Sequence, residues 1–256
     1  MMPIQMKTIG LIGGVSWVST QEYYKRINQR INEMLGGYAS AKIVMSSVNF
    51  EDILPSQLSG DTETETKIIL AHALALQGAG ADVILICSNT TNMMANEIQK
   101  HLNIPIINIV NAVAEYLTKK GISRVGLLGT KRVMYGSFYK KILVDHNWDL
   151  KVIVPAKEKG FEVDRIIYNE LVRNIFKLES LWKIKRCIKE FVECGVEAVI
   201  LGCTELPLLV MPQMVNTLLI DSIQVHIDKL FQYIEATSTM HEALSHVNSG
   251  ELLLYS

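Results

Sequence analysis

The chain nearly repeats itself, and its two copies differ at the position most able to carry chemistry. Residues 80–90 read Gly-Ala-Asp-Val-Ile-Leu-Ile-Cys-Ser-Asn-Thr, and residues 195–205 read Gly-Val-Glu-Ala-Val-Ile-Leu-Gly-Cys-Thr-Glu. With Gly80 laid on Gly195, each is a small turn, an acid, an apolar run and a short polar cluster. In that register Cys203 faces Ser88, and Cys87 faces Gly202. An earlier block echoes too: Ile9-Gly10-Leu11-Ile12-Gly13 returns as Val125-Gly126-Leu127-Leu128-Gly129. Behind these come Tyr23-Tyr24-Lys25-Arg26-Ile27 and Phe138-Tyr139-Lys140-Lys141-Ile142. Two copies, rather than three or more, indicate a duplicated unit and not a solenoid. A nucleophile-type residue at the same point of both units implies one site built across a pseudo-twofold axis.

Short apolar runs alternate with helical patterns along the whole chain. Strands are predicted at Thr8–Ile12, Ala41–Val48, Asp82–Ile86, Ile104–Val110, Arg124–Leu128, Leu150–Val154, Ala198–Leu201 and Leu218–Asp221. The first helix is capped by Ser19 or Thr20 and carries an apolar stripe of Tyr23, Tyr24, Ile27, Ile31 and Leu35. Further helices are predicted at Thr66–Gln77, Asn92–Leu102, Ala112–Lys119, Ser137–His146, Phe161–Phe176, Leu181–Cys194 and Gln224–Glu235. This alternation predicts an α/β protein with two pseudo-twofold-related, flavodoxin-like or Rossmann-like halves and parallel sheets. Right-handed crossovers put the loops after Gly13, Ile86, Gly129 and Leu201 on one edge, so the active site is expected in the cleft between the halves. The expected division is 1–113 plus 218–256 for the first half, its C-terminal helix returning to it, and 114–217 for the second.

Composition excludes several classes. The 256 residues carry a formal net charge of -1 with scattered basic residues, which argues against a nucleic-acid partner. No apolar run approaches the ~18 residues of a membrane span. The start, Met1-Met2-Pro3-Ile4-Gln5-Met6-Lys7, lacks the pattern of a secretory signal. Four cysteines in a chain of this length do not form a disulfide scaffold, so a reduced, cytoplasmic location is expected.

Four motifs together resemble the aspartate/glutamate racemase family. They are Ile-Gly-Leu-Ile-Gly-Gly-Val-Ser-Trp (9–17), Cys-Ser-Asn-Thr-Thr-Asn (87–92), Gly-Leu-Leu-Gly-Thr (126–130) and Leu-Gly-Cys-Thr-Glu-Leu-Pro (201–207). The resemblance runs from about Lys7 to Leu230, and the Gly-Gly-Val-Ser-Trp-Val-Ser-Thr detail is similar to the broad-specificity amino-acid racemase branch. It implies a PLP-independent isomerase with no cofactor, a small amino-acid substrate, and a homodimer. It also implies one acid–base group on each side of the substrate Cα. Two such groups suit racemisation, since one base cannot reach both faces of Cα without a large movement. Cys203 is then the main acid–base group, with a helix N-terminus or polar donors drawing its pKa toward the working pH. Asn89, Thr90, Thr130, Thr204 and Ser16 are the expected substrate-binding residues.

The departures from the family pattern sharpen this reading. The first family cluster reads Cys-Asn-Thr-x-His, whereas here Ser88 precedes Asn89 and Asn92 stands at the His position. Either Ser88 or Cys87 could be the second catalytic group. Adjacent residues at a strand end face opposite ways, and the internal repeat selects Ser88. A hydroxyl is a far weaker acid than a thiol, so the two faces should be chemically unequal. A family Lys corresponds to Glu162, which would disfavour a second substrate carboxylate if it lines the pocket.

Other residues read more simply as structure. Cys87, Cys187 and Cys194 are expected to pack inward, His226 to be structural, and Asp61–Lys67 to form a solvated helix start. Nothing completes a zinc set, and the Gly13-Gly14 turn lacks a dinucleotide pattern. Two other functions stay open: a single-thiol decarboxylase or lyase of the same fold, and a non-catalytic small-ligand-binding protein.

Overall fold

The computed structural model describes residues 6–145 and 150–248. The first half of the chain runs β1 (Ile9–Gly13), α1 (Trp17–Leu35), β2 (Ile43–Ser47), α2 (Phe50–Ser59), α3 (Thr62–Gly78), β3 (Val83–Ile86), α4 (Ala95–Gln99), β4 (Ile106–Ile107) and α5 (Ile109–Lys119). Its counterpart runs β5 (Arg124–Gly129), α6 (Lys131–Tyr135), α7 (Ser137–Asp145), β6 (Lys151–Ile153), α8 (Lys157–Asn169), α9 (Leu178–Glu193), β7 (Ala198–Gly202), α10 (Leu206–Leu209), β8 (Leu218–Asp221) and α11 (Ser222–Asn248). His146 and the apolar Leu252-Leu253-Leu254 lie outside the described residues.

Two four-stranded sheets result, ordered β2-β1-β3-β4 and β6-β5-β7-β8. Every pairing is parallel, and the repeat extends to register. Gly10 lies opposite Ile84 in the first sheet, and its repeat mate Gly126 lies opposite Val199 in the second. The fold is therefore α/β, with each sheet covered by helices on both faces.

The helices that end the two halves are exchanged. Ile109, Val113 and Leu117 of α5 follow the first sheet's last strand but pack with Val125, Leu127, Ala198 and Ile200 of the second sheet. Reciprocally, Ile223, Ile227, Leu230 and Phe231 of α11 pack with Ile9, Leu11, Val83 and Leu85 of the first. Each such side chain contributes about 1.5–3 kcal/mol by leaving water, so parting the sheets completely would expose two cores at once.

Several local features depart from the sequence reading. The strand Leu218–Asp221, grouped above with the first half, hydrogen-bonds to β7 and belongs to the second sheet. The expected boundary at 113/114 falls inside α5, which packs on the second sheet throughout. Tyr24 and Leu35 are exposed, because the buried stripe of α1 turns through Val18, Tyr23, Ile27 and Ile31 instead. Ser16 is the N-cap position, while Ser19 and Thr20 lie one turn in and donate back to its carbonyl. Cys187 is buried but Cys194 is exposed, since α9 ends at Glu193 and the chain turns away through Gly195 at φ 74°. Helix α2 was not anticipated. Pro55 sits inside it and reads as a breaker, although Asn49 caps its start and Gly60 closes it in the left-handed region.

His226 ties three elements together in the fully buried interior. Its Nε2–H donates to the Ile107 carbonyl at 2.7 Å, so Nδ1 is left to accept from the Tyr23 hydroxyl, also at 2.7 Å. Burial holds this imidazole neutral and pulls its pKa from 6.5 down to about 4. The unfolded chain takes up a proton near 6.5 that the folded chain refuses until about 4, so this contribution to stability is complete above pH 6.5 and lost as pH falls toward 4. Between pH 7 and pH 5 the protein should lose roughly 2 kcal/mol through this group. Urea unfolding at both pH values checks it, and a His226→Asn variant should lose clearly less over the same interval.

Candidate active site

The cleft begins at the turn after β1. Gly14 adopts φ 89°, and a Cβ there would meet the Val48 backbone carbonyl, so only glycine lets the chain turn this tightly against the end of β2. The Gly14 N–H is taken by Thr20 Oγ1 at 2.9 Å, which makes the Gly-Gly turn a structural device and not a phosphate cradle. The turn delivers Val15 to the cavity wall and Ser16 to the N-cap of α1.

Cys203 follows β7 directly and is buried against the cavity. Its thiol donates to Glu205 Oε2 at 3.0 Å, and Thr204 Oγ1 donates to the same oxygen at 2.8 Å. Ser16 Oγ reaches across from the first half to donate to Glu205 Oε1. A single carboxylate thus gathers three donors from both halves. Burial, then the charge and hydrogen bond of Glu205, hold the Cys203 thiol well above its ordinary pKa, while the backbone N–H groups of Glu205 and Leu206 pull the other way and lose. The donors expected at this helix start are therefore present but do not yield a resting thiolate. Only the motif spacing hinted at Glu205, whose burial no local pattern reveals.

Opposite Cys203, the loop after β3 supplies Ser88, Asn89 and Thr90 to the same cavity. Ser88 Oγ accepts from the Thr91 N–H at 3.3 Å and from Thr91 Oγ1 at 3.1 Å, which caps the short turn and leaves its own proton to donate. Cys87 points the other way, into the core beneath α1 and α11, where burial drives its pKa far up. Thr90 and Thr130 join hydroxyls at 2.9 Å across the cleft. Asn89 is pinned through Nδ2 to Ser222 Oγ at 2.9 Å and through Oδ1 to the Tyr139 hydroxyl at 3.3 Å. Its amide thus ties the halves together as well as lining the site. Asn92 serves the fold: Nδ2 donates to the Ile86 and Ser88 carbonyls at 2.9 and 2.7 Å, and Oδ1 accepts from the Ile109 N–H at 3.1 Å.

The remaining wall comes from α2 and α8, which follow β2 and β6 at equivalent points of the repeat. Phe50 and Gln57 from one meet Ile167 and Tyr168 from the other, with Val172 beside them. Glu162 does not line this cavity. It lies on the outward side of α8 and pairs with Lys183 at 3.0 Å, so it has no bearing on a substrate carboxylate. Among the described residues lining the site there is no Lys, Arg or His, and Glu205 is the one carboxylate.

The family model for Asp/Glu/Hydantoin racemase matches residues 12–230. The chain belongs to this family. It is 36% identical to an aspartate racemase homologue from Pyrococcus horikoshii OT3, whose structure superposes with a TM-score of 0.76 over 90% of this chain and 100% of that one. Glutamate racemase from Aquifex pyrophilus is 27% identical over 154 residues, which is 57% of this chain and 55% of that protein. The chain thus spans about half the length of that curated relative. The glutamate racemase of Francisella tularensis, solved with D-glutamate, shares the fold at 16% identity and a TM-score of 0.64, over 90% of this chain and 82% of that one. Among the described residues no helix is long and apolar enough to cross a membrane.

In this racemase-family chain the two halves meet tightly around the site. The cavity measures about 30 Å³, room for a water or two and not for an amino acid. Tyr168 stacks on Phe50 with ring centroids 6.3 Å apart and donates to Gln57 Oε1 at 3.4 Å. Beside them Arg132 of α6 donates through Nη1 and Nη2 to the two carboxylate oxygens of Glu65 on α3, and Arg132 Nη2 also lies 3.1 Å from Met93 Sδ. Glu65 is wholly buried, unlike the solvated face expected for Asp61–Lys67. Its partner lies 67 residues away, beyond the reach of local pattern. Removing one partner of such a pair strands the other charge. Arg132→Met should cost about 3 kcal/mol in denaturant unfolding, and adding Glu65→Met should recover most of that loss.

Proposed function

We propose that this protein is a cofactor-independent amino-acid racemase, in which Cys203 and Ser88 exchange protons with opposite faces of the substrate Cα. The observation that carries the reading is that these two residues, equivalent in the repeat, line one buried cavity between the sheets. Hydroxyls of Thr90, Thr130 and Thr204 line the same strand ends and suit a substrate carboxylate. Glu205, the cavity's lone carboxylate, suits the α-ammonium.

The proton inventory follows from that charge balance. Before substrate enters, Cys203 holds its proton against the Glu205 carboxylate. As the thiol proton passes along this hydrogen bond to Glu205, the incoming ammonium compensates the negative charge left on the sulfur. The thiolate then takes the Cα proton from one face. On the other face Ser88 donates its hydroxyl proton to the carbanion while Thr91 Oγ1 holds its oxygen at 3.1 Å. When the product leaves, Ser88 regains a proton from water and Glu205 gives up the one it took, which closes the cycle. In reverse, Ser88 would have to act as base. A hydroxyl does this poorly without help, so saturated turnover that starts at the serine face is slower, while kcat/KM stays equal in the two directions because the enantiomers have equal free energy. The ratio of enantiomers at equilibrium is unaffected.

The chemical inequality of the pair also suits a lyase of the same fold, in which loss of CO2 forms the carbanion and one acid protonates it. Asn92 serves the backbone and Glu162 lies away from the cavity, so neither departure from the family pattern speaks for a non-catalytic protein.

Exchange of the Cα proton in D2O, followed by NMR over a panel of amino acids, separates these readings. The racemase should exchange Cα with deuterium, and Cys203→Ala should slow that exchange by about 100-fold or more. Ser88→Ala should slow one enantiomer far more than the other. Exchange that survives Cys203→Ala at full rate would exclude the thiol from the chemistry. Absence of exchange together with CO2 release from a malonate-type acid would favour the lyase.

A further inference from the structure

The cavity is chemically divided. Its strand-end side is built from hydroxyls, the thiol and Glu205, whereas the side made by α2, α8 and the residues beside them is apolar: Val15, Phe50, Ile167 and Val172. Within that apolar side lies one polar group that the fold leaves unsatisfied. Gln57 is 4% exposed, its Oε1 accepts from the Tyr168 hydroxyl at 3.4 Å, and its Nε2 has no hydrogen-bond partner among the described residues. A buried amide N–H without a partner typically costs about 1–3 kcal/mol.

We infer that Gln57 reads the substrate side chain, donating its Nε2–H to an acceptor oxygen, and that the protein selects amino acids with an uncharged side chain ending in such an oxygen. This inference rests on the racemase reading above and deepens it. With the reacting carbons held at the strand ends, the side chain has only the α2–α8 side to occupy. An oxygen there relieves the unpaired N–H. A methyl in the same place leaves it unpaired. A carboxylate would accept the bond but would enter an apolar wall with no lining cation, since Arg132 is already committed to Glu65. An ammonium would set donor against donor.

Homoserine and norvaline provide the test, being nearly equal in shape and differing by a hydroxyl in place of a methyl. Cα exchange in D2O is measured on the wild-type protein with homoserine, norvaline, aspartate and lysine. Homoserine should exceed norvaline in kcat/KM by about tenfold or more, and aspartate and lysine should lie below homoserine. Gln57→Leu should collapse the homoserine-to-norvaline ratio toward one. A loss of folding or of general activity would lower both substrates together and leave the ratio unchanged. A wild-type rate for aspartate equal to that for homoserine, or a ratio unmoved by Gln57→Leu, overturns the inference while leaving the racemase reading intact. Absence of exchange with every amino acid removes both.

Discussion

The reciprocal exchange of α5 and α11 is the constraint on which the rest of the molecule depends. Each helix is reached from one sheet and buried on the other, so neither sheet has a complete core of its own. The halves are consequently held with their strand ends toward each other, and the loops after β3 and β7 become two walls of one cavity. His226 and Asn89 reinforce the arrangement from either side. The first joins α11 to α1 and β4, and the second joins the β3 loop to Ser222 and Tyr139. Arg26 of α1 adds a 2.6 Å ion pair to Asp221 at the end of β8. These contacts fix the back of the cleft, and α2, α3, α6 and α8 meet at its mouth, where Arg132 pairs with Glu65 and Tyr168 meets Phe50 and Gln57.

The charge pattern at the site follows the same logic of two half-sites. Glu205 is surrounded by hydroxyl and thiol donors instead of a cation, an arrangement that satisfies its oxygens without neutralising it. The closed cavity therefore carries a net negative character that only an incoming cation relieves. An α-ammonium is such a cation. In the proposed mechanism its charge compensates the thiolate once the thiol proton has passed to Glu205, so the activation of Cys203 would depend on substrate.

Much of this was legible in the sequence because the repeat constrains backbone and side-chain direction together. The alternation of strand residues separated Ser88 from Cys87, and the structure puts one on the cavity and the other in the core under α1 and α11. Parallel topology and the gathering of strand-end loops followed from the spacing of apolar runs. What stayed hidden depends on partners distant in sequence. Glu65 reads as solvated until Arg132 is seen to reach it, and Glu205 reads as one more motif residue until Ser16 arrives from 189 residues away. Helix α2 was obscured by Pro55, and with it went Phe50 and Gln57. Glu162 misled for the opposite reason: the loose match placed it by motif distance, whereas the helical phase of α8 turns Ile167 and Tyr168 inward and leaves Glu162 to Lys183.

The repeat also explains why chemistry and selection occupy different parts of the molecule. Strand ends are fixed on both sides by ladder hydrogen bonds and carry Ser88 and Cys203, the proposed proton-transfer groups, for which a small displacement would be most damaging. Helices α2 and α8 occupy equivalent places in the two halves yet share almost no sequence, and they touch each other directly through Phe50, Gln57 and Tyr168. In the proposed reading a substrate parts that contact, and its side chain meets α2 and α8. Duplication preserved the strand ends as a matched pair while the two helices diverged. In the proposed reading, the residues that select the substrate could then change without moving those that act on Cα.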